Sequence, residues 1–489
     1  VVREIVASGI LPVGAIQLVS GPARNLLDHV DERDVVTFTG SASTGQMLRS
    51  LPRINAHSVP FNMEADSLNS CILGPHVEPG DPEFNLFVKE IRKEMTVKCG
   101  QKCTAVRRIF VPDRLMDAVQ EALIVQLSKT VKGDPQQEGV RMGSLVSAEQ
   151  KVEVLERIAE LEKEATVVFR DESPLVGGSE EAGTFLGPTL LRMDQPFRAQ
   201  LCHEVEAFGP VSTLMPYHGI EEAIQLANLG KGSLCCSFVS QDVEDITTFV
   251  HEAAPMHGRI LVLDRECAKE STGHGSPLPL LVHGGPGRAG GGEEMGGMRG
   301  IRHYMQRTAI QGSPTHIGAI TSSYQPGGKQ TEADPHLFQK HFEDLRVGET
   351  VTTAKHTVTE ADIVNFANVS GDHFYAHVDD TSLEDTIFTG RVAHGYYLLS
   401  KAAGLFVDPK KGPVLLNYGI EQARFTKPVY PGSTVGVRLT VKEKVSQEKR
   451  SPEDISKGIV KFYVDMYDET GESVAVATIL TMVKMRNQS

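Results

Sequence analysis

The sequence predicts two successive folding units: an α/β unit with a mostly parallel sheet, then an α+β unit in which a helix lies on a curled antiparallel sheet. From residue 1 to about residue 300, segments with apolar residues at helical spacing alternate with short strand-like runs. From about residue 341, two helical patterns are followed by three long alternating runs that close the chain. The prediction of two folding units rests on these two patterns.

The composition is that of an ordinary globular protein, with 40% hydrophobic and 23% charged residues. At roughly 100–200 residues per domain, 489 residues correspond to about two to four domains. The net charge of −14 argues against nucleic acid as a partner, and no apolar run is long enough to predict a membrane span. Seven cysteines without a secretory signal indicate reduced thiols in a cytoplasmic protein, and their spacing completes no metal site.

Individual elements of the first unit can be predicted from local patterns. Residues 34–40 and 258–263 predict buried strands, whereas residues 117–131 and 149–165 predict amphipathic helices. Residues 284–300 contain nine glycines in 17 positions, which fits either a flexible linker or a tight loop. Charged residues within this stretch favour a tight loop that packs closely on a neighbour.

The second unit begins after a polar stretch, residues 312–336, that predicts an interdomain connection. Residues 302–311, just before it, predict a short strand. A first helix is predicted at residues 359–371, with Thr359 and Asp362 spaced as a capping pair. A second helix and three strands are predicted at residues 393–406, 433–445, 458–468 and 473–485.

A first group of candidate residues lies between positions 38 and 211. "FTGSASTG" (38–45) joins a strand to a helix, which fits either a phosphate site at a helix N-terminus or a plain turn capped by Ser41. "FNMEAD" contains Glu64, and "KCGQKCTA" contains Cys99 and Cys103. Taken alone, Glu64 is a surface carboxylate and both cysteines are core thiols.

Taken together and in this order, "FTGSASTG", "MEAD", "GQKCTA" and "EAFGPV" resemble the motifs of the aldehyde dehydrogenase superfamily. The resemblance implies that Cys103 is the nucleophile, that Glu64 activates water, and that Cys99 is structural. It also implies an NADP cofactor, with NAD as the alternative, held by Gly40 and Ser41 at the pyrophosphate and by Glu206 and Phe208 near the nicotinamide. The family's glycines after the glutamate are absent from "EADSLN".

The resemblance also sets expectations for domain boundaries. The chain starts at Val1 inside a helical pattern, which fits either a boundary of the preparation or the loss of an upstream segment. The family's oxyanion asparagine and ribose-binding lysine belong to upstream segments, so we expect weak dehydrogenase activity from this chain alone. The expected domains are a cofactor-domain remnant (1–66), a catalytic domain (67–300), an oligomerisation strand with a linker (301–335) and a final domain (336–489).

A second group of candidates lies in "SGDHFYAHVD" (370–379), where Asp372 and His377 are five positions apart. Alone, such a pair fits a surface loop as well as a proton-transfer site. With "RVAHGYYLLS" and "ARFTKPVYPGST" following in order, the region resembles MaoC-like enoyl-CoA hydratases. That resemblance implies a hot-dog fold, catalysis by Asp372 and His377, and a CoA thioester bound at Gly395. Phe374 and Tyr375 replace the family's Asn-Pro, which implies a specialised substrate.

The order of the two modules resembles a family of bifunctional enzymes of aerobic phenylacetate catabolism. This implies ring opening of oxepin-CoA by the second unit, oxidation of the resulting aldehyde by the first, and a homo-oligomer in which residues 302–311 pair across subunits. One alternative is a hydratase with a single activity and a dehydrogenase scaffold. Another is a binding module with both sites decayed, although the intact Glu64, Cys103, Asp372 and His377 argue against it.

Overall fold

The computed structural model describes residues 1–22, 24–179 and 183–486, and it divides them into two compact units. The first unit ends at Arg307 and the second begins at Thr308. Residues 308–335 therefore belong to the second unit, where they form a helix and a short strand. The sequence predicted an oligomerisation strand with a linker over residues 301–335, and this division into domains stays a prediction.

The first unit is built on a seven-stranded sheet with two small two-stranded sheets beside it. Its strands are β1 (Val36–Thr39), β2 (Phe61–Glu64), β3 (Ser70–Leu73), β4 (Arg108–Pro112), β5 (Thr166–Arg170), β6 (Thr189–Arg192), β7 (Val211–Tyr217), β8 (Cys236–Val239), β9 (Ile260–Leu263), β10 (Val282–His283) and β11 (Glu294–Met295). The large sheet has the order β5-β6-β7-β4-β3-β8-β9, and only the β5–β6 pair is antiparallel. Its central strands are buried along their whole length, as is typical of a sheet covered on both faces.

Helices cover the sheet of the first unit. They are α1 (Val2–Ala7), α2 (Ala42–Arg49), α3 (Pro52–Ala56), α4 (Pro82–Thr96), α5 (Met116–Leu127), α6 (Ala148–Leu161), α7 (Leu201–Glu204), α8 (Ile220–Asn228), α9 (Val243–Ala253) and α10 (Met298–His303). The predicted helices at 117–131 and 149–165 correspond to α5 and α6. The predicted strands at 34–40 and 258–263 correspond to β1 and β9, but both are only partly buried.

The glycine-rich stretch 284–300 is a tight loop, as predicted, and it packs on β2. A Cβ atom at Gly290, where φ is +104°, would lie 2.3 Å from the Met63 carbonyl oxygen. A Cβ at Gly292 would lie 2.3 Å from Asn62 Oδ1. The backbone of the loop therefore touches the strand directly, at a distance that only glycine permits.

The sequence predicted that residues 302–311 form a strand that pairs across subunits, and within one chain this segment forms no strand. Helix α10 extends to His303, and residues 304–312 are irregular and exposed. A strand is stable only when its backbone groups pair with a neighbour. In the part of the chain that the structure describes, no strand lies against this segment.

The second unit is an antiparallel sheet with helices on it. Its elements are α11 (Pro314–Thr321), β12 (Thr331–Glu332), β13 (Glu349–Thr352), β14 (His356–Thr357), α12 (Glu360–Ser370), α13 (Tyr375–Val378), α14 (Gly395–Phe406), β15 (Val414–Phe425), β16 (Thr434–Ser446), β17 (Lys457–Tyr467) and β18 (Ser473–Lys484). The sheet order is β12-β13-β16-β17-β18-β15, with β14 also paired to β16. The predicted helices and all three predicted strands are present.

Helix α14 packs on this sheet and closes a core of aliphatic and aromatic side chains. Tyr397, Leu398 and Phe406 of the helix belong to the same buried cluster as Val437 and Phe462 of the sheet. The long strand β15, which the sequence did not predict, extends the sheet at its edge and is mostly exposed. Of the helices in the described part of the chain, none is both long and apolar enough to cross a bilayer.

Candidate active sites

A cavity of about 660 Å³ in the first unit is lined by every residue that the sequence predicted for this unit's site. These residues come from separate stretches of the chain: Gly40, Ser41, Glu64, Cys103, Glu206 and Phe208. The structure therefore brings the predicted group together in one place, at the ends of β1 and β2 and beside the loop that follows α4.

The loop that carries Cys103 is shaped by three successive residues with left-handed backbone. Lys98, Cys99 and Gly100 have φ values of 53°, 53° and 67°, which turn the chain sharply after α4. Asn69 Nδ2 then donates to the carbonyl oxygens of Cys103 and Ala105, at 2.8 and 3.0 Å. Cys99 is directed into the core and is 1% exposed, whereas Cys103 is only partly buried at the cavity.

Cys103 lies in a cluster with Glu64, His283 and Glu294. His283 Nε2 is 3.8 Å from Cys103 Sγ and 3.2 Å from Glu64 Oε2. Burial acts to raise the pKa of Glu64, but hydrogen bonds from His283, Cys103 and Glu294 outweigh it and hold the pKa at about 2. Burial and the neighbouring Glu64 raise the pKa of Glu294, so Glu294 takes up a proton before Glu64 does as the pH falls.

The thiol itself is held in its neutral form by its surroundings. Burial, the hydrogen bond with Glu64 and the negative charges of Glu64 and Glu206 raise the pKa of Cys103 to about 12. A thiolate must form before this side chain can attack a carbonyl carbon. Attack on a substrate therefore requires a group that accepts the proton.

Glu206 and Phe208 are held at the cavity by Arg107. The Arg107 guanidinium donates to Glu206 Oε1 at 3.1 Å and lies over the Phe208 ring, 5.4 Å from its centre. The same guanidinium donates to the carbonyl oxygens of Gly209, Gly100 and Lys102. Arg107 therefore joins the cavity wall that contains Glu206 to the loop that carries the thiol.

The N-terminus of α2 borders the cavity as well. Ser41 caps the helix by accepting from the Thr44 amide at 3.2 Å, and the Ala42 amide donates to the Asp66 carboxylate. Arg288 donates to the other oxygen of that carboxylate at 3.1 Å. The plain capping interpretation of Ser41 is thus correct, and the helix end also holds an anionic oxygen.

A second site lies at the N-terminal end of α14, in the second unit. Side-chain donor and acceptor atoms of Asp372, His377 and His394 all lie within 4.8 Å of one another. The His377 and His394 rings are stacked, with centres 3.8 Å apart. The structure therefore brings together the predicted pair Asp372 and His377, and it adds His394.

Two backbone carbonyls fix the tautomers of these histidines. His377 Nδ1 donates to the Val392 carbonyl at 2.6 Å, which leaves Nε2 as the nitrogen that can accept a proton. His394 Nε2 donates to the Asp372 carbonyl at 2.9 Å. Burial and the nearby His377 lower the pKa of His394, so this ring stays neutral.

Gly395 begins α14 beside the histidines. A Cβ at this position would lie 2.3 Å from the Phe425 ring, so the glycine allows β15 to approach the helix end. The first backbone amides of a helix carry a partial positive charge that can polarise a carbonyl oxygen. This helix end therefore suits the predicted position for a thioester carbonyl.

Donor atoms close enough to share a cation occur at three places in the described part of the chain. The groups are Glu64, Cys103 and His283; Asp372, His377 and His394; and His76, Asp242 and Asp245. Hydrogen bonds account for the spacing in the first two groups. The third is a surface group with an exposed histidine. We assign no cation to any of them.

Comparison with known proteins places both units in families. The model of the aldehyde dehydrogenase family matches residues 1–310, and the model of the MaoC-like domain matches residues 343–460.

The chain belongs to the aldehyde dehydrogenase family.

It joins this aldehyde dehydrogenase part to a MaoC-like domain. Two curated proteins are similar to this chain. The chain is 49% identical over 316 residues to the protein MaoC of Klebsiella aerogenes, a match that covers 64% of this chain and 92% of that protein. It is 46% identical over 287 residues to 3,4-dehydroadipyl-CoA semialdehyde dehydrogenase of Aromatoleum evansii, covering 58% and 56% of the two chains.

Solved structures agree on the fold of the aldehyde dehydrogenase part. A betaine aldehyde dehydrogenase of Staphylococcus aureus in complex with NAD⁺ aligns with a TM-score of 0.54 at 23% identity, covering 62% of this chain and 57% of that one. An NAD-dependent aldehyde dehydrogenase of Sinorhizobium meliloti aligns equally well. The chain thus spans little more than half the length of the dehydrogenases that it matches.

Several residues of the aldehyde dehydrogenase part were not predicted as members of the site. His283 and Glu294 reach the thiol cluster from a part of the chain distant in sequence, Arg107 reaches the cavity wall from four positions after Cys103, and His394 joins the site of the MaoC-like domain from the residue before α14. Two signals were available: Glu294 lies among the charged residues of the glycine-rich loop, and His394 immediately precedes Gly395 in "RVAHGYYLLS". The sequence has no comparable signal for His283 and Arg107.

Proposed function

We propose that this protein is a bifunctional enzyme of aerobic phenylacetate catabolism. Its MaoC-like domain opens the ring of oxepin-CoA by adding water, and its aldehyde dehydrogenase part oxidises the resulting CoA-bound semialdehyde to 3-oxo-5,6-dehydrosuberyl-CoA. The observation that carries this proposal is that one chain holds Cys103 and Glu64 on a common cavity and, in its other unit, Asp372 beside His377. The names of the two curated relatives support the same class of chemistry.

In the MaoC-like domain, His377 and Asp372 would each carry out one part of the addition of water. The fixed tautomer leaves His377 Nε2 free to accept a proton from water. The Asp372 carboxylate lies within 4.8 Å of the histidine nitrogens and would hold the same water or return its proton to carbon. The N-terminus of α14 at Gly395 would stabilise negative charge that develops on the thioester oxygen.

In the aldehyde dehydrogenase part, the Cys103 thiolate would attack the aldehyde carbon to form a thiohemiacetal. The Cys103 backbone amide can stabilise the oxyanion. A bound nicotinamide cofactor supplies the hydride acceptor for the oxidation. Glu64, whose low pKa keeps it ionised near neutral pH, would then take a proton from the water that hydrolyses the thioester.

The residues around the cavity suit a phosphorylated dinucleotide. The N-terminus of α2 already holds the anionic oxygen of Asp66, Glu206 offers a carboxylate for hydroxyl groups, and Phe208 offers an aromatic face. NADP is the proposed cofactor, with NAD as the alternative. Gly40 and Ser41 would lie at its phosphates.

We also propose that the protein acts in the cytoplasm as a homo-oligomer. All seven cysteines are free thiols, which supports a reducing compartment. Strand β15 exposes several apolar side chains along a sheet edge, which supports burial against another subunit. The proposed partners are small molecules, namely acyl-CoA and aldehyde substrates.

A second candidate is a hydratase with one activity, acting on ordinary enoyl-CoA, in which the dehydrogenase part serves as scaffold. The lengths of the matches to the two relatives favour this candidate. The match covers 92% of the protein MaoC but only 56% of the semialdehyde dehydrogenase. Fast hydration of crotonyl-CoA with no ring opening of oxepin-CoA would select this candidate.

The proposed function predicts that the two activities can be removed separately. Asp372→Asn should slow ring opening by about 10²–10⁴-fold, because it removes a group that handles protons. Cys103→Ala should abolish NADP reduction with supplied CoA-bound semialdehyde. Each variant should keep the activity of the other unit, measured by CoA-ester chromatography and by NADPH absorbance. Ring opening that persists in Asp372→Asn, or aldehyde oxidation that persists in Cys103→Ala, would contradict the assignment.

A further inference from the structure

We infer that His283 is the proton acceptor that converts the Cys103 thiol into a thiolate. The inference deepens the proposed dehydrogenase function, on which it rests for its biological meaning. It concerns a residue that lies 180 positions after the thiol in the sequence and is brought to it by the fold.

The position of His283 is fixed by the glycine-rich loop. His283 ends β10 and pairs directly with Glu294 of β11 across a two-stranded antiparallel sheet. The loop between them is packed on β2, which carries Glu64 at its end. His283 is 7% exposed and therefore has a restricted orientation at the thiol.

The contacts of the ring define what it can do. A single nitrogen, Nε2, faces both Cys103 Sγ at 3.8 Å and Glu64 Oε2 at 3.2 Å. In the tautomer that carries its proton on Nδ1, Nε2 no longer donates to Glu64 and can take the thiol proton, and the sulfur keeps the electron pair of the S–H bond. The Nε2–H of the resulting imidazolium then donates to the Glu64 carboxylate, so the new positive charge lies between two negative ones. Nothing is oxidised or reduced in this step.

The other base at the sulfur is Glu64, which accepts a hydrogen bond from the thiol, but a proton moved to Glu64 would leave the thiolate without a neighbouring positive charge. The charged groups that face Cys103 are Glu64 and Glu206, and Glu294 faces Glu64 and His283. The cations nearby are engaged elsewhere: Lys102 pairs with Glu94, Arg107 with Glu206 and Arg288 with Asp66. Ionised carboxylates oppose a thiolate, so an imidazolium next to the sulfur is the arrangement that makes its formation favourable.

The test is the rate at which iodoacetamide alkylates Cys103 as a function of pH, followed by mass spectrometry of the Cys103 peptide. This assay needs neither aldehyde nor cofactor, so its outcome is independent of whether the proposed dehydrogenase reaction occurs. The wild-type chain should show a reactive thiol at pH 7. His283→Phe should lower that rate by about 10-fold or more and leave only the rise at alkaline pH. An unchanged profile in His283→Phe would overturn the inference.

Two further variants separate proton transfer from a structural role. His251→Gln, at an exposed position of α9, is the control for loss of a histidine and should alkylate as the wild type does. Glu64→Gln removes the opposing charge, and adding His283→Phe to it should slow alkylation as strongly as it does in the wild-type background. If His283→Phe has no effect in the Glu64→Gln background, His283 acts only by holding Glu64, and the inference is wrong. Thermal unfolding by circular dichroism confirms that each variant is folded.

Discussion

At the scale of single residues, the thiol cavity shows how chemistry can depend on groups that are far apart in sequence. Glu64, Cys103, Glu206 and Phe208 were accessible from the sequence because each lies in a short motif. His283 was not, because its contact with the thiol exists only after the glycine-rich loop has packed on β2. A motif contains only residues that are neighbours in the chain. The contact between His283 and Cys103 instead depends on the packing of the glycine-rich loop against β2.

Substitution of Gly395 gives a prediction at the scale of a single residue. Gly395→Ala places a methyl group against the Phe425 ring and should destabilise the MaoC-like domain by about 1–3 kcal/mol. It should also lower hydratase activity, since the change lies at the proposed thioester position. Urea unfolding and the rate of ring opening measure the two effects.

The matched control is Gly404→Ala in the same helix. No atom lies within 4 Å of a Cβ at Gly404, so this change should stabilise α14 by about 0.5–1 kcal/mol. If Gly395→Ala and Gly404→Ala change the free energy of unfolding equally, contact with the Phe425 ring is not the cause of destabilisation at Gly395.

At the scale of elements, helix α12 is the clearest agreement between sequence and structure. The capping box predicted from the spacing of Thr359 and Asp362 is present, with both reciprocal hydrogen bonds formed. Strand β15 is the clearest omission. Its sequence has no strict alternation, it contains Gly419, and its pairing with β18 shifts register three times, so a rule based on period two fails there.

The capping box predicts a dependence of stability on pH. Burial acts to raise the pKa of Asp362, but hydrogen bonds from Thr359 and His356 outweigh it and hold the pKa at about 2. Because this pKa lies below the ordinary value of 3.8, the contribution of Asp362 is complete above about pH 4 and is lost as the pH falls through about 2. Asp362→Asn should cost about 1 kcal/mol of stability at pH 7 and much less at pH 2.

Urea unfolding of the wild type and of Asp362→Asn at pH 7, 4 and 2 checks this prediction. Glu453→Gln, at an exposed position between β16 and β17, is the control for loss of a carboxylate. A difference between wild type and Asp362→Asn that stays constant down to pH 2 would contradict the role of the ionised carboxylate.

At the scale of the whole molecule, the sequence predicted the order and type of the two units. Residues 312–336 have the composition of a linker, with several glycines and prolines. Part of the stretch is nevertheless incorporated into the second unit, because β12 pairs with β13 and the Tyr324 amide donates to the Lys442 carbonyl. Composition alone does not reveal such pairing.

The observed boundary predicts where a protease cuts first. Residues 304–312 are exposed and outside any helix or strand, so trypsin should cleave after Arg307 and release fragments that correspond to the two units. Intact-mass measurement over a time course identifies the first products. The Arg307→Gln variant should resist this cleavage. Initial cutting inside residues 314–486 would contradict the boundary.

The contacts of Arg107 limit how this enzyme could be re-engineered. Changing Glu206 to alter how the nicotinamide end of a cofactor is held would release the guanidinium that also donates to the carbonyls of Gly100 and Lys102. The peptide that presents the sulfur would then lose one of its anchors. A substitution that changes the cofactor contact at this position should therefore also change the reactivity of the nucleophile.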